Sequence, residues 1–167
     1  MDESYINAWI GIGANLGQPK IQVLKAIERL NGLEHVNVER TSSLYQTEPI
    51  GRQSQPDFIN AVVCVTTKLQ PIELLHQLLE LESQFGRVRD GSKDEPRHLD
   101  LDLLIYGQIV MRSPELTLPH PRMKNRLFVL EPLMELEGDF EIPQSGFISS
   151  YIEKCRCQSV VKLPVEY

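Results

Sequence analysis

The chain has 167 residues, 41% of them hydrophobic and 24% charged, with a net charge of −6. That length suits one domain spanning residues 1–167 with a single sizeable core, and the balance is that of an ordinary globule. Net acidity argues against nucleic acid or an anionic membrane as partner, because both want a basic surface. No apolar run is long enough to cross a bilayer, and Met1-Asp2-Glu3-Ser4 lacks the basic and apolar regions of a secretion signal. Three cysteines, an odd number, do not suggest a disulfide framework, so the expectation is a cytoplasmic chain. Cys64 falls in an apolar run and reads as core, and the Cys155-x-Cys157 pair has no second Cys/His pair with which to enclose a metal.

In chain order, Tyr5–Gly13 alternates as a strand, and Gly13–Gly17 reads as a turn. Pro19 then stands where a first helical turn tolerates it. Ile21, Leu24, Ile27 and Leu30 predict one face of a helix that Gly32 can end. Val36–Tyr45 reads as a second strand, Thr47–Pro56 as a loop and Phe58–Thr67 as a third strand. Pro71–Phe85 predicts a second helix with Leu74, Leu78, Leu81 and Phe85 on its buried face, closed by Gly86. Gly86–His98 is densely charged and nearly without apolar residues, which predicts a mobile loop. A strand from Leu99 follows, then a turn at Gly107-Gln108 and short strands at Ile109–Met111 and Leu116–Leu118. Met123–Leu130 reads as a helix that Pro132 limits, and Ile148–Cys155 as a short amphipathic piece. The order strand–helix–strand–strand–helix–strand predicts an α+β fold with a ferredoxin-like split βαβ core. Its antiparallel sheet carries helices on one face, and the C-terminal third adds further strands and helices.

The most informative stretch is Pro96-Arg97-His98-Leu99-Asp100-Leu101-Asp102-Leu103. On a strand it sends three leucines to one face and both aspartates to the other, with the carboxylates about 7 Å apart along the backbone. That spacing lets them share a pair of hard cations and the phosphate oxygens between them. Strands rarely favour aspartate, and two neighbouring acids repel unless a cation neutralises them. Arginines cluster around this stretch at 87, 89, 97, 112, 122 and 126. There is no G-x-x-x-x-G-K-[ST] phosphate loop, and Gly11–Gly17 misses G-x-G-x-x-G by one position, so metals and arginines would have to hold a nucleotide.

P-R-x-L-D-L-D, T-E-P-x-G, F-I-N-A-V, G-R-V-R and L-x-L-P-H-P-x-M-K-N-R all occur here, spread from about Tyr5 to about Leu136. Together they resemble 6-hydroxymethyl-7,8-dihydropterin pyrophosphokinase, a folate-pathway family that moves pyrophosphate from ATP to a pterin alcohol and releases AMP. The resemblance implies two Mg²⁺ ions on Asp100 and Asp102, with Arg87 and Arg97 as further catalytic residues. It implies ATP contacts at Glu82, Arg89, Leu103, Thr117, His120 and Arg126. It implies a pterin site formed by Thr47, Glu48, Pro49, Ile50, Phe58, Asn60 and Phe128. A flat, amide-rich ring is held by aromatic faces and paired amide hydrogen bonds, and Phe58 and Asn60, two apart on a strand, face the same way.

By the same resemblance the partners are ATP and the pterin, without nucleic acid or membrane, and the chain is a monomer whose Gly86–His98 loop closes over the ligands. Three positions depart from the family: Asp94 and Glu95 stand where Trp and Gly are common, and Glu115 where an arginine is. Each makes the ATP side more acidic. Two competing readings follow: a weakened paralogue that binds pterin or nucleotide without turnover, and an unrelated metal-dependent nucleotidyltransferase.

Overall fold

A computed structural model describes residues 4–48, 55–86 and 99–165 of the chain. Strand β1 (Ile6–Ala14) points Ala8, Ile10, Ile12 and Ala14 to one face, all of them 2% exposed or less. It lies antiparallel between β4 (Phe58–Thr67) and β5 (Asp100–Tyr106). On its other side β4 pairs with both β2 (Val36–Thr41) and β3 (Tyr45–Thr47), and β10 (Val160–Lys162) lies beyond β3. The order β5-β1-β4-β2, with α1 (Pro19–Asn31) after β1 and α2 (Pro71–Gln84) after β4, is the expected ferredoxin-like α+β arrangement. Pro at the start of each helix removes a donor that would have no partner there, and Gln70 and Glu73 close a capping box on α2. Val23, Ala26 and Leu30 of α1 and Leu74, Leu78 and Leu81 of α2 bury against this face.

The opposite face carries the second layer expected of the C-terminal third. Helices α3 (Leu127–Glu137) and α4 (Ile148–Lys154) cover Trp9, Val62, Cys64, Leu104 and Ile105 with Leu127, Leu130, Leu133 and Ile148. Two short hairpins flank the sheet: β8 (Glu141–Ile142) with β9 (Gly146–Phe147) adds Ile142 to this layer, whereas β6 (Met111–Arg112) with β7 (Thr117–Leu118) places Met111 and Leu118 against the core under α1 and α2.

Four expectations change. The buried stripe of α1 is Val23, Ala26 and Leu30, whereas Ile21 and Leu24 are 44% and 55% exposed. The small Ala26 lets the helix approach the sheet closely, which turns the larger side chains outward. Val36–Tyr45 is two strands, because Ser42 breaks the ladder: its N–H donates to the Val62 carbonyl and its hydroxyl accepts the Val62 N–H, both at 2.9 Å. The strand placed at Ile109–Met111 is instead Met111–Arg112, paired with β7 and not with the main sheet. The predicted Met123–Leu130 helix is a single 3₁₀ turn, Met123–Asn125, followed by α3, which runs through the buried Pro132 to Glu137.

Glu135 of α3 ties that layer to β3 and β10. It accepts the Ser43 N–H at 2.8 and 3.0 Å and the Tyr45 hydroxyl at 3.1 Å, with Lys162 Nζ at 3.7 Å. Burial alone would raise its pKa; the Ser43, Tyr45 and Lys162 groups outweigh burial and hold the carboxyl below its usual value. A depressed folded-state pKa stabilises above the unfolded value, and that contribution is lost as pH falls through the folded one. The stability gap between wild type and Glu135→Gln, read from thermal unfolding, should therefore narrow as pH falls from about 6 to about 3. A gap that stays constant over that range would show that Glu135 is not linked to folding by its charge.

Candidate active site

On the face that carries Trp9, β1 continues with Gly11 and Gly13, so the sheet there has no side chains on its central strand. Gly11 pairs with Asp102 on one side and Val62 on the other; Gly13 pairs with Asp100 and Asn60. With adjacent strands about 4.8 Å apart, Asp100 and Asn60 flank a bare strip about 10 Å across. A Cβ on Gly13 would lie 2.8 Å from Asn60 Oδ1, so glycine is what lets the amide rest against the β1 backbone. A Cβ on Gly11 would meet only Leu104 side-chain atoms at 3.6 Å, an ordinary contact.

A bulge shapes the metal side. Trp9 pairs with Ile105 and Ile10 with Leu103, which leaves Leu104 as an extra residue in β5. Its carbonyl accepts the His120 backbone N–H at 2.8 Å, so the Pro119-His120-Pro121 segment is pinned beside the aspartates. His120 Nε2 lies 3.8 Å from Asp102 Oδ1, and an Arg126 guanidinium nitrogen 3.6 Å from Oδ2. Burial, then the Arg126 and Arg122 charges, push the His120 pKa down to about 4 against the opposing pull of Asp100. Its ring is therefore neutral at neutral pH. Nδ1 accepts the Arg122 N–H at 3.2 Å, which places the ring proton on Nε2, toward Asp102. The contact with Asp102 is thus an N–H facing a carboxylate, not an ion pair. Both contacts exceed hydrogen-bond length, so neither locks the carboxylate in one geometry.

Asn60 is 5% exposed and donates from Nδ2 to the Thr47 hydroxyl at 2.9 Å, with Thr47 equally buried. Phe58 stands on the same face of β4 as Asn60, half-buried, and Glu48 is exposed at the end of β3. Phe128 is half-buried on α3, and the Arg126 guanidinium sits 5.6 Å from its ring centroid. Arg126 thus stands near both Asp102 and the Phe128 ring.

The remaining expected residues fall in different places. Glu82 is 1% exposed and accepts the Leu101 N–H at 2.8 Å, holding the residue between the two aspartates from the α2 side. Leu103 is 2% exposed, with its side chain in the core on the face opposite the aspartates. Thr117 is half-buried in β7, opposite Arg112. The Glu115 carboxylate lies 2.8 Å from His76 Nε2 of α2. Pro49, Ile50, Arg87, Arg89, Asp94, Glu95 and Arg97, and the loop expected to close, lie outside the described residues apart from Gly86. Cys155 is buried with its thiol 3.6 Å from the Lys124 carbonyl, and Cys157 is exposed. Among the described residues no group of three or more His, Cys, Asp or Glu is arranged to hold a metal.

Sequence reasoning missed two features here. Gly11 and Gly13 were read as strand and turn, although the parity Trp9-x-Gly11-x-Gly13 already marks a face stripped of side chains. The buried Asn15–Gln55 pair was also missed: Asn15 Nδ2 donates to Gln55 Oε1 at 2.8 Å and to the Pro56 carbonyl at 3.1 Å. It ties the end of β1 to the start of β4, and no local sequence signal joins residues so far apart.

Two acidic side chains on a bare sheet face, bordered by a neutral histidine, an arginine and an amide-aromatic pair, make up a site of the phosphoryl-transfer class. A sequence model described as 7,8-dihydro-6-hydroxymethylpterin-pyrophosphokinase matches residues 9–138, and the chain belongs to that family. A 2-amino-4-hydroxy-6-hydroxymethyldihydropteridine pyrophosphokinase of Haemophilus influenzae is 39% identical over 95% of this chain and 98% of its own length. One of Synechocystis is 42% identical over 92% of this chain and 78% of its own. Among solved structures, an HPPK-DHPS in complex with substrates matches 90% of this chain with a TM-score of 0.70 at 12% identity, and wild-type Plasmodium falciparum HPPK-DHPS matches 90% at 0.68 and 14%. These share the fold, and this chain spans 43% and 41% of their respective lengths. No helix among the described residues is long and apolar enough to cross a membrane.

Proposed function

We propose that this chain transfers the pyrophosphoryl group of ATP to 6-hydroxymethyl-7,8-dihydropterin and releases AMP, as a step of folate synthesis. The observation that carries the reading is the pairing of Gly13 with Asp100 on one side and Asn60 on the other, which sets a phosphate-handling and a heterocycle-reading group across one bare strip. The donor set fits Mg²⁺, which takes one or two carboxylates and completes its shell with water and substrate phosphates. Asp100 and Asp102 would hold two such ions, which would neutralise the triphosphate and withdraw charge from the β-phosphorus.

The chain's own groups do the rest. Asn60, held by Thr47, reads the amide edge of the pterin, and Phe58 and Phe128 offer apolar faces to its ring. That orientation aims the hydroxymethyl oxygen at the β-phosphorus. The new O–P bond forms as the bond from the β-phosphorus to the α-phosphate oxygen breaks, in line; the alcohol proton passes to water and AMP departs. Arg126 adds positive charge beside Asp102, and His120 presents a neutral N–H there. Glu82, by gripping the Leu101 N–H, fixes the strand that carries both aspartates. Arg87, Arg89 and Arg97 belong to the same reading as phosphate contacts, and Pro49 and Ile50 as pterin contacts. The chain works as one cytoplasmic, monomeric domain. A coupled assay of AMP release from Mg-ATP and 6-hydroxymethyl-7,8-dihydropterin tests this; AMP formation no faster than without the pterin would overturn it.

A further inference from the structure

Gln158 lies twenty residues beyond the last position matched by the family's sequence model, in the turn after α4. Its side-chain amide grips the main chain on both sides of Arg126. Nε2 donates to the Asn125 carbonyl at 2.7 Å, and Oε1 accepts the Leu127 N–H at 3.0 Å. Leu127 opens α3, whose first N–H groups have no partner within the helix, and Arg126, at the cap position, makes no side-chain cap. Gln158 therefore supplies from a distance the cap that the helix lacks. Three residues before Gln158, the Cys155 thiol lies against the Lys124 carbonyl, so a single turn of chain grips residues 124, 125 and 127.

What this fixes is the direction of Arg126. Its backbone is extended, with φ −122° and ψ 100°, between a 3₁₀ turn and a helix. Its N–H donates to the Met123 carbonyl at 3.2 Å and its carbonyl accepts the Val129 and Leu130 N–H groups, while Gln158 ties the peptide groups on either side of it. Its guanidinium must nevertheless reach Asp102 Oδ2 and lie over the Phe128 ring at once. A small rotation of the junction would carry a side chain of this length away from both. We infer that Gln158 is a positioning residue for pyrophosphoryl transfer, acting through Arg126 on the nucleotide. The inference rests on the reading of Arg126 as a phosphate contact.

The test is a double-mutant cycle on the affinity for Mg²⁺ with a non-hydrolysable ATP analogue, measured by calorimetry with thermal unfolding alongside. Gln158→Met keeps the length of the side chain and removes both hydrogen bonds. It should weaken analogue binding about tenfold in the wild-type background, the factor that corresponds to losing one well-made polar contact. In the Arg126→Ala background the same change should weaken binding by less than about twofold, because residues acting through one another are not additive. A residue that merely stabilises the fold would lower the unfolding midpoint in both backgrounds and leave the affinity of the folded protein unchanged. Gln158→Asn, which is one methylene short of both partners, should match Gln158→Met in affinity and provides a second folded variant. Equal losses in the two backgrounds, or no loss in the wild-type one beside a damaging Arg126→Ala, would overturn the role of Gln158 alone. An Arg126→Ala protein that binds the analogue normally would overturn the reading of Arg126 and the inference with it.

Discussion

Asp102→Ala is expected to lower the rate of AMP release by about a thousandfold or more, because electrostatic stabilisation of the transferring group is usually the largest catalytic contribution. The change acts twice. It removes one of the two carboxylates proposed to hold the metal ions, and it leaves the Arg126 guanidinium and the His120 N–H without the carboxylate they face at 3.6 and 3.8 Å. Asp100→Ala should behave similarly in rate, yet it spares that contact and should leave Arg126 over Phe128. Both variants should bind pterin alone as wild type does, because Asn60 and its Thr47 partner stand on the far side of Gly13. Burial of the core on the opposite face is untouched, so both variants should remain folded. Turnover within about tenfold of wild type in Asp102→Ala would remove the two-metal assignment, since a sole remaining carboxylate could not supply an effect of the expected size.

The second large effect concerns the pterin. Asn60→Ala leaves the ring's polar edge without its partner in a buried pocket, a loss on the order of 1–3 kcal/mol in affinity. Gly13→Ala should reproduce much of that loss without replacing any side chain proposed to contact ligand. Its new Cβ would lie 2.8 Å from Asn60 Oδ1, and the amide, as the movable partner, would be driven off its position and away from Thr47. Gly11→Ala is the matched control, since its Cβ would make only an ordinary 3.6 Å contact with Leu104. Calorimetric titration with the pterin should therefore rank wild type and Gly11→Ala together, well above Gly13→Ala and Asn60→Ala. In the Asn60→Ala background Gly13→Ala should cost nothing further, because the atom it displaces is gone. Unchanged pterin affinity in Asn60→Ala would remove Asn60 from the site. Unchanged affinity in Gly13→Ala alone would mean that the amide has another resting position from which it reads the ring equally well.

Much of this was determined by the sequence itself, wherever one element carries the whole signal. The alternation Leu99-Asp100-Leu101-Asp102-Leu103 puts leucines into the core and aspartates on the opposite face, whatever the rest of the chain does. The same local logic marked Phe58–Thr67, Pro71–Phe85 and the Phe58/Asn60 parity, because strand and helix periods are properties of neighbours. The family motifs are likewise contiguous runs of residues, and residues 9–138 carry them. Tertiary structure decided what depends on partners remote in the chain. It turned Leu24 out and Ala26 in, since only docking against the sheet reveals which helix face can approach closely. It split Val36–Tyr45 at Ser42, because the hydroxyl's partner is Val62 on another strand. It placed the Glu82 carboxylate on the Leu101 N–H, a contact between residues on different elements. And it brought Gly13 against Asn60, Asn15 against Gln55, and Gln158 around Arg126. Such side-chain meetings are fixed by strand register and layer packing, which are sums over many weak contacts and leave no mark at either position alone.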